Sequence, residues 1–200
     1  MPSIIKVDQI QSDLGTVNVS SNLQFSSGFT MRSPTIATPT FTGQATIPTI
    51  DLTGGQIKFP ATQSASSDGN TLDDYEEGTW TGTLQGVGSN PNTPVTATGS
   101  YTKIGRQVFA RLTYVNVNTT GASGQFYIIG LPFASAQALA TGDVMTYSII
   151  TATSASINLS PYVESTNIYL YYMQSADIWA PATHNAGSGR YLQISVIYEV

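Results

Sequence analysis

The chain has 200 residues, of which only 10% are charged, and a net charge of −5, against the roughly 25% charged residues usual in globular domains. Seven Lys plus Arg against twelve Asp plus Glu exclude a nucleic-acid surface, which needs clustered cations to displace counterions from phosphates. With no cysteine, disulfides, thiolate metal sites and cysteine nucleophiles are excluded as well.

Ser, Thr, Gly, Asn and Gln take the place of charge, so the surface is expected to be neutral and polar. Little repulsion between copies follows, and tight self-association is expected. The opening MPSIIKVDQIQSD has neither the basic nor the apolar region of a secretory signal. No window reaches the apolar length of a membrane span, so no membrane insertion is expected. Synthesis and assembly in a cytoplasm are expected, the final location being a separate matter.

In chain order, residues 1–60 are poor in aromatics and rich in short alternations. Val17, Val19, Leu23 and Phe25 alternate with polar neighbours, as in short strands joined by turns. Next, MRSPTIATPTFTGQATIPTIDLTGG places Pro34, Pro39 and Pro48 in a Thr-rich run. Proline fixes φ and removes a ladder donor, so this run is not the middle of an ordinary sheet. The near-repeat SPTIA/TPTFTG (33–37 and 38–43) suggests short extended units. Such a segment has too little apolar surface to order alone. It is either a flexible linker or a segment ordered by winding with identical copies, with Ile36, Phe41, Ile47 and Ile50 meeting on a shared axis.

Residues 61–78 carry Asp73, Asp74, Glu76 and Glu77 within NTLDDYEEGTW (70–80). Asp68-Gly69-Asn70 predicts a turn, and TLDDYEEG suits a short helical turn ended by Gly78. From residue 79 the chain reads as a β-domain. Strands are predicted at 79–85, 100–105, 107–117, 124–131, 144–152, 155–160, 167–174 and 190–200. The last has Leu192, Ile194, Val196, Tyr198 and Val200 on one face. Turn-rich stretches at 87–94, 118–124 and 184–189 separate strands, and ASAQALATG (134–142) allows one or two helical turns. The predicted class is all-β: an extended N-terminal β/shaft segment followed by a C-terminal antiparallel β-sandwich, jelly-roll-like.

Three stretches together resemble a family of phage fibre proteins. IKVDQIQSDLGTVNV resembles the start of fibre and appendage proteins of marine phages and cyanophages, and TPTFTG resembles the repeats of trimeric tail-fibre shafts. IKFPATQSASSDGNTLDDYEEGTW (57–80), then GSYTKIGRQVFARLTYVNV (99–117) and GLPF (130–133), is similar to a module near the start of a C-terminal β-domain in tail-fibre and structural proteins. The region after GLPF matches nothing specific. The resemblance implies a homotrimeric fibre on the virion and does not imply an enzyme; a non-enzymatic protein without a cofactor is expected. Residues 1–30 would attach it to a baseplate, tail hub or capsid, 31–60 would form the shaft, 61–78 an acidic connector and 79–200 the head.

Four readings compete for the acidic knot. A carboxylate pair is what a glycoside hydrolase needs, but such pairs converge from separate strands in a cleft, whereas these four are local. Asp68, Asn70, Asp73 and Asp74 offer oxygens for calcium, though the spacing departs from an EF-hand loop. The third reading is a subunit contact facing Lys103, Arg106 or Arg111, and the fourth a solvated turn. A structural element with cross-subunit pairing to Arg106 or Arg111 is the one adopted. His184, the single histidine, is a poor metal site alone, and no GxSxG elbow supports a serine triad. In IYLYYMQSADIWAP (168–181), Tyr169, Tyr171 and Trp179, with His184 and Asn185 in the following loop, are candidate glycan contacts, because aromatic faces stack on sugar rings. The alternative is core on one face and trimer interface on the other. Trp80 is predicted to be a core anchor. The function expected is host-surface polysaccharide adhesion by the head, against a purely architectural fibre or capsid decoration and, from another class, a polysaccharide depolymerase.

Overall fold

The computed structural model describes residues 55–151, 158–175 and 178–200. Residues 1–54, where the attachment segment and most of the shaft are expected and where Ile36, Phe41, Ile47 and Ile50 fall, lie outside the described residues. Ten strands follow: β1 (Tyr75–Gly86), β2 (Val95–Ile104), β3 (Gln107–Val117), β4 (Phe126–Ile129), β5 (Leu139–Ala140), β6 (Asp143–Tyr147), β7 (Leu159–Glu164), β8 (Asn167–Ser175), β9 (Ile178–Pro181) and β10 (Arg190–Glu199). No helix occurs among the described residues, so the domain is all-β as predicted. ASAQALATG carries β5 where a helical turn was allowed for.

Every strand pair is antiparallel, in the order β5-β7-β8-β4-β1-β2-β3-β10-β6, with β9 on β8 beyond the end of β4. β1 is the corner. Its residues Tyr75–Leu84 pair with β2, while Thr83–Gly86 pair with β4. The sheet curls until β6 and β10 come against β7, closing a sandwich-like body on one core.

That core follows from period-two patterning. Val108, Ala110, Leu112 and Tyr114 of β3 alternate with exposed neighbours, and Leu192, Ile194, Val196 and Tyr198 of β10 do the same. Facing them from the other half are Phe126, Ile128, Val163, Ile168 and Leu170. Each such side chain contributes about 1.5–3 kcal/mol by leaving water. Trp80 is the expected core anchor, only 5% exposed. Its ring lies across Gly99, its β2 partner, where there is no side chain to obstruct it. The two-residue turn Gly105-Arg106 joins β2 to β3, with Gly105 at φ 55, which a primed hairpin turn requires.

The acidic segment departs from its reading. Asp68-Gly69-Asn70 does turn: Thr71 N donates to Asp68 O at 3.1 Å, and Asn70 N to Asp68 Oδ1 at 2.9 Å. TLDDYEEG is not a helical turn, however. β1 starts at Tyr75, and Glu76 and Glu77 are strand residues paired with Lys103 and Thr102. The ladder to β2 supplies hydrogen bonds that one isolated helical turn lacks.

Candidate functional site

Strands β5, β7, β8, β4 and the end of β1 present one continuous outer face. Residues directly opposite in an antiparallel pair share a face. The register therefore sets Ala140, Tyr162, Tyr169, Tyr127 and Gln85 in one row across five strands. The next row carries Ser160, Tyr171 and Pro181, and beyond it Met173 faces Trp179. On the inner side of the same strands Val163, Ile168 and Leu170 are fully buried. The backbone under the aromatics is thereby fixed by the core.

The rings are ordered against one another. Tyr127 and Tyr169 stack at 5.3 Å with planes 20° apart, and Tyr162 and Tyr171 meet edge to face at 5.6 Å and 77°. Ala140, Ser160, Tyr162, Tyr171 and Trp179 line a groove of about 270 Å³. Trp179, 49% exposed, stands on β9 as its outer wall. Partial burial raises the pKa of the Tyr169 phenol. A preformed groove with aromatic walls and a few hydroxyls suits the apolar face of a ring whose edge is polar. Among the described residues no carboxylate lines it, and glycoside cleavage needs a pair.

Tyr169, Tyr171 and Trp179 thus lie on this face. His184 does not. Its side chain enters the core, 8% exposed, against Phe126 at 4.9 Å. Nε2 donates to the Gln85 carbonyl at 2.9 Å, which fixes the neutral tautomer and leaves Nδ1 buried without a partner among the described residues. Burial depresses its pKa, opposed by that hydrogen bond. The reading of His184 as a sugar contact is therefore corrected. Backbone bridges pull the strand end inward: Thr183 pairs with Gln125 and His184 with Ile150. Asn185 is exposed but lines a separate hollow with Tyr147 and Leu159. Tyr162 and Tyr127 were missed, because their strands lie apart in sequence. The only signal was a tyrosine at an outward position of each.

The acidic residues diverge rather than converge. Asp73 Oδ2 accepts from Ser66 N at 2.9 Å, and that bond chiefly lowers its pKa. Asp74 forms a buried ion pair with Lys103. Glu76 accepts from the Tyr101 hydroxyl, which pushes that phenol up to about 12, and Glu77 accepts from Tyr75. Among the described residues no group of three His, Asp or Glu is gathered to hold a metal ion. Within the chain, neither Arg106 nor Arg111 receives these carboxylates. Lys103 takes Asp74, Arg106 is exposed at the β2–β3 turn, and Arg111 Nε donates to Ser100 Oγ at 2.9 Å.

No protein-family model matches the chain, and a search of curated proteins finds no match.

Proposed function

We propose that the chain is a structural fibre protein of a phage particle, homotrimeric and non-enzymatic. It is assembled in the host cytoplasm and attached to the virion by its N-terminal segment. Its β-domain adheres to host-surface polysaccharide through the Tyr162–Tyr171–Trp179 groove. The order of the fibre-like motifs along the sequence supports the class. The single observation that carries the adhesive role is the solvent-open aromatic groove on a rigid strand scaffold.

Truncating one stacking wall removes about 1–1.5 kcal/mol of aromatic contact, roughly tenfold in affinity. Trp179→Ala is expected to weaken binding to the best ligand of a glycan array about tenfold, leaving the thermal midpoint unchanged because the residue is half exposed. A blank array with intact protein leaves the architectural fibre instead. Loss of polysaccharide viscosity during incubation would establish the depolymerase.

A further inference from the structure

The other half of the curled sheet has its own outer face, from β1 across β2, β3 and β10 to β6. Its rows are fixed by register. Thr79, Ser100, Arg111, Ser195 and Asp143 form one row across five strands, and Glu77, Thr102, Phe109 and Ile197 a parallel one. Further along, Tyr191 meets Tyr147 at 5.9 Å and 70°. Phe109, Val115, Met145, Tyr147, Tyr191 and Ile197 are all exposed large apolar side chains on this face. That concentration on one sheet face marks an interaction surface.

Its charges indicate what covers it. Arg111 lies between two shallow concavities. The larger, about 640 Å³, also holds Glu77, and the smaller, about 400 Å³, also holds Asp143. Arg111 is oriented by its bond to Ser100, and among the described residues it pairs with no carboxylate. Asp143 lies two strands away in the same row, about 10 Å at the usual strand spacing. A polyanion is opposed here by Glu77 and Asp143. Around a three-fold axis, the Arg111 side of this face on one copy meets the Asp143 side of the same face on the next: cation on carboxylate, with the apolar side chains turned toward the axis.

We propose that this face is the contact between copies of the chain, with Arg111 of one copy received by Asp143 of the next. This rests on the homo-oligomeric part of the function proposed above and is independent of the glycan groove. The natural absence of cysteine provides a local probe: Gln193→Cys in the full chain, exposed at the centre of the face beside Met145. In multi-chain particles sized by light scattering, its maleimide labelling is expected to be at least about tenfold slower than in the denatured chain. Adding Arg111→Glu or Asp143→Arg restores fast labelling, and the charge-swapped pair Arg111→Glu with Asp143→Arg slows it again. Fast labelling inside a multi-chain particle overturns the assignment of this face while leaving assembly and adhesion standing. A single-chain mass overturns both this contact and the trimer. Protection that appears only when a sulfated polysaccharide is added overturns the second copy in favour of an anionic ligand.

Discussion

Asp74 and Lys103 withdraw opposite charges from water together, at 8% and 5% side-chain exposure. Lys103 Nζ also reaches Gln63 Oε1 at 3.4 Å and sits 5.6 Å from the centre of the Phe133 ring. Removing one partner strands the other charge, which costs more than the pair contributes. Asp74→Ala is therefore expected to lose about 3–5 kcal/mol in urea denaturation, and the double change Asp74→Leu with Lys103→Met much less. Equal stability of the single and double variants would refute a desolvated pair. At His184 the sign runs with acid. Its folded pKa lies below the usual 6.5 because burial opposes the charge. The unfolded chain then binds the extra proton, so stability is full above about pH 7 and falls as pH drops through 6.5 toward the folded pKa. The slope cannot exceed about 1.4 kcal/mol per pH unit for one proton. Urea midpoints from pH 8 to 5 are expected to lose this component in His184→Gln, the carboxylate contribution remaining in both proteins.

Element by element, the strands pack as closely as their glycines permit. A methyl group on Gly99 would lie 2.3 Å from the Arg111 carbonyl oxygen and 2.6 Å from Trp80 Nε1. The first is backbone and cannot rotate aside. Gly99→Ala is expected to destabilise by about 1–3 kcal/mol through overpacking. Gly69→Ala, in the connector turn with nothing within 4 Å, is expected to be near neutral, and thermal melts of the two compare them directly. How well each element could be read tracks its contacts. β3 and β10 were legible because strict alternation over ten or more residues admits no other period. β5 and β9, of 2 and 4 residues, have no periodicity of their own and exist by pairing to β7 and β8. β7 runs later than expected, over Leu159–Glu164, because Pro161 looks like a strand breaker. It needs no ladder donor at that position, and its carbonyl accepts from Thr141 N at 3.0 Å. The start of β1 was hidden by carboxylates that resemble turn chemistry until Tyr75, Tyr101 and Lys103 are seen to receive them. For the groove, β8 and β9 showed Tyr169, Tyr171 and Trp179, but the wall from Tyr162 depends on register, which sequence alone does not set.

At the scale of the whole molecule, the aromatic groove and the Arg111 face occupy different halves of the curled sheet, so association by one does not cover the other. Each groove is small, and one stacking site of this size gives weak binding. The proposed adhesion of a particle then depends on several grooves meeting one polysaccharide at once, where linkage raises avidity by about 10²–10⁴. The two proposed contacts consequently make a joint prediction. Arg111→Glu is expected to bind a soluble oligosaccharide as the parent does by calorimetry, because Arg111 is remote from Tyr171 and Trp179 in the strand order. On an immobilised polysaccharide layer its dissociation is expected to be faster to the extent that the change also lowers the multi-chain mass, because single chains cannot rebind through a neighbour. Trp179→Ala should show the converse pattern: weaker for the soluble sugar and for the layer, with the multi-chain mass intact. If Arg111→Glu instead lost the soluble sugar as well, the two faces would be coupled and adhesion would not be a sum of independent grooves. If the multi-chain mass fell and the layer were unaffected, one groove alone would carry the affinity and assembly would serve only the architecture of the proposed fibre.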